Sequence, residues 1–583
     1  MTDHRDYTAT PRIFAIAGLA VGIGFVGAWV ALLLLRLIGL FTNLFFFQRW
    51  DTSMSSPAAN HLGWMVVLVP VAGSLIVGLM ARYGSEKIRG HGIPEALESI
   101  LINGSKVEPK LAVLKPISAA IAIGSGGPFG AEGPIIMTGG AFGSMIAQLF
   151  RLTANERKTL LAAGAAAGMS ATFAAPVASV LLAVELLLFE WKPRSLIPVA
   201  LASVTAAATR RYLLGMGPLF PVPPHPAFIG AAGLAGCLLA GILAGILSYL
   251  VSNSIYLVED AFRLLPVHWM WWPALGGAVV GLGGLIFPQA LGVGYDTIGA
   301  LLAGDVPRAT IVGILLVKSV IWAVSLGSGT SGGVLAPLLM MGGALGGVEA
   351  MFLPHLGAGF WPLVTMGAAL GGTMRIPFTA VIFSLELTHD INMLLPLLLA
   401  VIAAHTFTVL TLKRSILTEK IARRGYHLSC EYAVDPMEIL SARDVMRTNI
   451  AALPASIPEE SLAERLRDAQ DRRGQRLYPV VDDKASLVGV ATRGDLRKLL
   501  REKRPLAAIA RPEPVVAYAD EPLRVVVYRM AETGLTRFPV LEQRGSRKLA
   551  GMISLEDLLR ARSRSLEEDR SRERVLRLHL PFL

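Results

Sequence analysis

Two segments of one form decide the fold: Gly124–Pro134 reads GSGGPFGAEGP and Gly327–Pro337 reads GSGTSGGVLAP. Each has 11 residues, opens with GSG, closes on Pro and stands before an apolar run; they lie 203 residues apart. Downstream, Pro176–Glu185 (PVASVLLAVE) matches Pro377–Glu386 (PFTAVIFSLE) at an offset of 201, with glycine-rich GAAAGMSA and GAALGGTM ahead of them. Two pairs at nearly one offset mark a duplicated unit.

The duplicated part is apolar. Of 583 residues, 53% are hydrophobic and only 17% charged, where a soluble chain carries about a quarter. Residues 1–412 hold 21 Lys/Arg and 18 Asp/Glu, while residues 413–583 hold 33 and 25. An apolar body therefore joins a charged tail near Lys413, which excludes a single soluble enzyme, a disordered chain and a secreted disulfide scaffold. Cys237 and Cys430 suggest neither a disulfide framework nor a metal site. Most of the +11 net charge belongs to the tail and reads as a solvated Arg-rich surface; anionic lipid and nucleotide are alternative partners. No nucleic-acid-binding motif accompanies the charge.

Ile13–Leu35 is a run of 23 uncharged residues, too long for a signal peptide core and long enough to be a first membrane helix. Later apolar stretches are often short of the ~20 residues a crossing needs and are broken by Gly or Pro. Broken helices survive in a membrane where their freed backbone lines a cavity or is buried in protein. Broken segments in matching halves predict a transporter with its site near the midplane.

Three loops open helices in this way: Gly90–Pro94 (GHGIP), Gly130–Pro134 (GAEGP) and Gly333–Pro337 (GVLAP). A helix N-terminus presents unpaired N–H groups and about half a positive charge, so it binds anions. Three of them converging would hold an anion without Lys or Arg, weakly enough to release it. The alternative is that the glycines only permit close helix packing. Glu132 stands out, because a carboxylate at membrane depth marks an ion or proton path by default. It reads as a gate, a proton carrier, or both, with a plain helix cap as the alternative.

GHGIPE, GAEGP and GVLAP stand in the order and spacing of the anion-site motifs of CLC chloride channels and transporters, and residues 15–425 resemble that family. The resemblance implies an all-α polytopic membrane domain of two inverted repeats with broken helices, a homodimer with one pore per subunit, and cytoplasmic termini in a bacterial-type inner membrane. It makes Glu132 the gating glutamate and assigns chloride to the backbone amides of Gly92, Ile93, Val334 and Leu335. The candidate anion site also takes in Gly90, His91, Pro94, Gly130, Gly133 and Gly333. Some positions depart from the family: His91 replaces a common Ser, Ala131 replaces Arg, and Leu417 stands where a pore-lining Tyr is usual. Exchangers of the bacterial type carry a second Glu after the position of Glu185, and here it is Leu186. Glu185 and Glu386 read as structural, each satisfying backbone N–H groups.

Residues 443–500 and 506–563 show strand–helix alternation with period-2 apolar runs. RLYPVVDDKASLVGVATRGDLRKLL (476–500) and RFPVLEQRGSRKLAGMISLEDLLRA (537–561) repeat one pattern. They resemble a pair of CBS (cystathionine-β-synthase-type) domains, forming a cytoplasmic α/β tandem. That resemblance implies an adenine nucleotide (ATP, ADP or AMP) on Thr492/Asp495 and Ser554/Asp557. A pair of N-caps is the structural alternative. The domain division is a 1–12 N-terminal segment, a 13–425 membrane domain, a 426–442 linker, CBS domains at 443–500 and 501–563, and a 564–583 charged tail.

The functional expectation is chloride or other small-anion transport gated by Glu132 and modulated by the CBS pair, with no enzyme activity, metal or required cofactor. Leu186 and Leu417 favour a channel or uncoupled uniporter; proton-coupled chloride or fluoride antiport is the alternative. A non-conducting sensor and a CBS-linked cation transporter rank below these. No HExxH, nucleophile elbow or supported Cys–His pair is present.

Overall fold

The computed structural model describes residues 11–425, 436–458, 461, 475–502, 506 and 511–570. Cys430, the first ten residues, most of the expected linker and the charged tail beyond 570 lie outside the described residues. The chain divides into two compact units, the second beginning at Ala422.

The first unit is helical. Its α-helices are α1 (Ile13–Thr42), α2 (Leu68–Tyr83), α3 (Ile93–Leu101), α4 (Pro109–Gly124), α5 (Glu132–Gln148), α6 (Ala154–Phe173), α7 (Pro176–Leu182) and α8 (Pro193–Leu213). There follow α9 (Ala231–Arg263), α10 (Trp272–Ile286), α11 (Tyr295–Ala303), α12 (Arg308–Gly327), α13 (Leu335–Glu349), α14 (Phe360–Met374), α15 (Pro377–Thr388), α16 (Leu394–Thr411) and α17 (Ile416–Arg423). Among the described residues six helices are long and apolar enough to cross a membrane. The first runs past the expected Leu35 to Thr42, because the exposed Arg36 does not interrupt its hydrogen bonding. The chain is a multi-pass membrane protein.

Helices α11 to α16 repeat α3 to α8, each starting about 200 residues later. Small residues let the backbones approach closely: Gly139 and Gly143 of α5 lie directly on the carbonyls of Gly164 and Leu160 of α6. In the second repeat, a Cβ at Gly342 of α13 would stand 2.8 Å from the Cα of Met366 in α14.

The two repeats cap each other. Glu386 at the end of α15 accepts from Val177 N and Ala178 N, at 2.9 and 2.8 Å, in the first turn of α7. Glu185, just after α7, accepts from Phe378 N and Thr379 N, at 3.2 and 2.8 Å, in the first turn of α15. Each Pro-led helix thus has its orphan donors satisfied by a carboxylate from the other repeat, in line with the structural reading of both residues.

Two lysines are fully buried in equivalent places. Lys115 donates to the carbonyls of Ile88 and Gly90, both at 2.7 Å. Lys318 donates to those of Ala290 and Gly292, at 2.9 and 2.8 Å. The apolar pattern of their helices hid both, yet they hold the loops that enter α3 and α11.

The second unit contains two small sheets. In the first, β1 (Leu453–Pro454) runs parallel to β2 (Leu477–Val481), which pairs antiparallel with β3 (Leu487–Thr492), itself antiparallel to β4 (Arg511–Pro512). The second repeats this with β5 (Ala517–Tyr518), β6 (Arg537–Leu541) and β7 (Leu549–Ser554). Arg447 and Met552 exchange main-chain hydrogen bonds at 2.8 and 3.0 Å, which joins the two halves.

Replacing Glu386 by Ala strands two N–H groups and should cost roughly 2–3 kcal/mol, the scale of hydrogen bonds to a charged acceptor. A thermal melt of the detergent-solubilised protein checks this; an unchanged midpoint contradicts the reciprocal cap.

Candidate functional site

The loops entering α3, α5 and α13 are stitched together by main-chain hydrogen bonds. Gly90 N donates to Thr330 O at 3.2 Å and Gly332 N to Gly90 O at 3.4 Å. Gly130 and Gly333 bond each other in both directions, at 3.2 and 2.9 Å. Gly90 and Gly92 have φ of +81° and +88°, a region a side chain strains to reach. The three N-termini do come together, and the glycines serve close packing as well.

The stitching corrects the expected roles of individual residues. The N–H groups of Gly90, Gly130 and Gly333 are taken by main-chain carbonyls. That of Gly92 is taken by Glu95 Oε2 at 3.0 Å, so Gly92 supplies a turn, not a donor. The three prolines have no N–H. Among the described residues, the amides left without a main-chain partner include the first-turn ones of Ile93 in α3, Glu132 and Gly133 in α5, and Leu335 and Ala336 in α13, together with Val334 just ahead of α13. Val334 is buried just ahead of α13.

Glu132 is fully buried. Its carboxylate lies over Gly130, and a Cβ at Gly333 would stand 2.7 Å from its Oε2. It rests against its own main chain and that of Ala336, though neither oxygen completes a hydrogen bond. A carboxyl group thus occupies the ground where helices α5 and α13 begin.

Two lysines lie near the site without entering it. Lys318 is within electrostatic reach of Glu132, and a Cβ at Gly92 would stand 3.2 Å from Lys115 Cε. A fourth loop, GVGYD at 292–296, mirrors GHGIP through Gly292 and Gly294, whose φ are +63° and +75°. Its offset of 202 from Gly90 was the readable signal. It opens α11 at Tyr295, whose ring packs edge-on to Phe173 and Phe220 with centroids 6.3 and 6.0 Å away. Among the described residues the Tyr295 hydroxyl is buried with no hydrogen-bond partner, and it is in electrostatic reach of Glu132.

His91 is buried, and its carbonyl lies against Gly133. Leu417 is fully buried on α17 and brings no hydroxyl. Leu186 is buried beside Glu185, whose oxygens are already committed to α15.

In the second unit, Thr492 N and Oγ1 donate to Asp495 Oδ2 at 3.0 and 2.7 Å. Ser554 N and Oγ donate to Asp557 Oδ2 at 3.0 and 2.6 Å. Both pairs are therefore local caps at the helix entries. They differ in surroundings. Asp557 lines a cavity of about 740 Å³ with Arg447, Arg476, Arg537, Arg560 and Arg564, whereas Thr492 and Asp495 do not line it. Arg447 Nε bonds Asp557 Oδ1 at 2.7 Å, and that bond holds the guanidinium above its ordinary range.

A duplicated bundle of broken helices, with N-termini gathered around a carboxylate, defines a membrane transport protein of the repeat type. Residues 72–409 match the family model for the voltage gated chloride channel, and residues 442–502 and 506–564 match that for the CBS domain. The chain belongs to the CLC family and carries a CBS pair. It is 28% identical over 425 residues to a putative chloride channel protein, ClcB-like, of Ralstonia nicotianae, covering 70% of this chain and 97% of that one. It is 31% identical over 367 residues to the H(+)/Cl(-) exchange transporter ClcA of Salmonella schwarzengrund, covering 59% and 76%. The crystal structure of a eukaryotic CLC transporter shares the fold at a TM-score of 0.62 and 18% identity, over 93% of this chain and 98% of that one.

Gly333→Ala puts a methyl 2.7 Å from Glu132 Oε2 and 2.9 Å from Gly133 N, which must push the α5 and α13 N-termini apart. Halide affinity, read by calorimetry, should fall at least about tenfold, or 1.4 kcal/mol; unchanged affinity contradicts the shared site.

Proposed function

We propose that the protein passes chloride and related small anions across the membrane, through the place where α3, α5 and α13 begin, with Glu132 as a protonatable gate. One observation carries this reading: the Glu132 carboxylate sits buried over the first-turn amides, without a completed hydrogen bond. A carboxylate and a chloride compete for the same donors. Protonation removes the competitor's charge, and the weak donor-only site then lets an anion through.

A channel or uncoupled uniporter fits the residues best. Glu185 is held by three donors from α15, and Leu186 beside it cannot take a proton. Proton-coupled antiport is the second reading, favoured by the similarity to a protein named as an H(+)/Cl(-) exchange transporter. Efflux of chloride from liposomes separates them. Chloride flux under a potassium clamp without uphill proton movement supports the uniporter, whereas proton pumping driven by a chloride gradient supports the exchanger. The absence of flux of any halide, fluoride included, rejects transport altogether.

Flux should rise as pH falls, because protonation opens the gate. Glu132→Gln should conduct at the low-pH rate throughout; retained pH dependence in that variant would falsify the gating role.

The CBS pair is proposed to bind an adenine nucleotide in the arginine-rich cavity and to modulate flux. Its ribose would displace Arg447 from Asp557, and the phosphates would meet the remaining guanidinium groups. Asp557→Ala should weaken ATP or AMP binding to the whole protein about tenfold, while Asp495→Ala leaves it within about twofold. Equal losses in the two variants contradict the assignment to this cavity.

A further inference from the structure

Four main-chain polar groups of the first anion loop are held by charged side chains. Fully buried Lys115 takes the carbonyls of Ile88 and Gly90. Glu95, 4% exposed, takes the Gly92 N–H through Oε2. Its other oxygen, Oε1, pairs with Lys420 Nζ at 2.7 Å, and that ammonium also reaches Arg89 O at 3.4 Å. The ammonium fills the space that a Cβ on Gly90 would need. Glu95 lies two residues after Ile93 in α3, so its charge stands beside a donor of the proposed anion site. Lys420 lies on α17, the helix that leads into the second unit at Ala422.

We propose that Glu95 and Lys420 form a charge-matched clamp on the anion loop, with Lys420 as a positioning residue whose ammonium offsets the Glu95 carboxylate at the anion site. The inference rests on the anion-transport reading above. Glu95 is needed as an acceptor, because without it Gly92 N–H has no partner at a turn that only Gly tolerates. Its negative charge, however, opposes an anion at the adjacent amides. Lys420 removes that opposition while leaving the acceptor in place. The chemistry is that of a buried carboxylate and a partly buried ammonium, in which loss of the ammonium removes the nearest compensation of the carboxylate charge.

The test uses full-length protein in liposomes and in detergent, with chloride efflux, calorimetric chloride affinity and thermal melts. Lys420→Met should lower flux and weaken chloride binding about tenfold, the scale of one nearby unit charge. Lys420→Arg should stay within about twofold of the parent, since the cation is kept. In the Lys420→Met background, Glu95→Gln keeps an oxygen for Gly92 N–H and removes the carboxylate charge, so it should restore both readouts to within about threefold. A merely structural bridge predicts the reverse, because two lost contacts do not recover function. Wild-type-like flux and affinity in Lys420→Met, or additive losses in the double variant, overturn the clamp. If Lys420→Met fails to fold, recovery of folded protein by the added Glu95→Gln supports it, and failure to recover overturns it. Parent protein that moves no chloride sinks the transport reading instead, while calorimetric halide binding still judges the clamp.

Discussion

The structure depends on one constraint: a main-chain N–H inside a membrane must find a partner. Water is absent there, so each helix that starts within the protein brings donors that need acceptors. This chain answers the need in three ways. Some donors are stitched to neighbouring loops, as between Gly130 and Gly333. Others are capped by carboxylates from the opposite repeat, as with Glu386 on α7 and Glu185 on α15. A few remain beside Glu132, whose oxygens lie close without bonding. The proposed function rests on that last group, since donors left incompletely satisfied by the protein are the ones able to receive an anion.

The same need explains the buried lysines. Lys115 and Lys318 each collect two carbonyls from the turns ahead of α3 and α11. A turn built from glycines with positive φ points carbonyls inward as well as N–H groups, and the lysines neutralise those dipoles. They also put their amino groups behind the loops that open α3 and α11.

Much of this was legible in the chain. The duplicated GSG…P segments and the Pro–Glu pairs revealed the repeat, and the repeat predicted equivalent structural roles for Glu185 and Glu386. Glu132 stood out because a carboxylate has no cheap place at membrane depth. The meeting of GHGIP, GAEGP and GVLAP also followed from their form. Long-range partners were not legible. That Gly92 donates to Glu95, rather than to an ion, depends on a rotamer and on Lys420, over 300 residues away. GVGYD is a weak signal in sequence because it shares only its glycines with GHGIP. In the tail, Ser554/Asp557 and Thr492/Asp495 look alike in sequence, and only packing shows that one of them faces an arginine-lined cavity.

The central claim is that the Glu132 carboxylate and a transported anion occupy the same ground. Anomalous scattering from bromide-soaked crystals of Glu132→Ala tests it directly. A bromide peak is expected in the volume vacated by the carboxylate, against Gly130 and Gly333 and within reach of the Leu335 and Ala336 amides, with no peak there in the parent protein. Bromide absent from that volume in the variant, or bound there in the parent beside an unmoved Glu132, would contradict it.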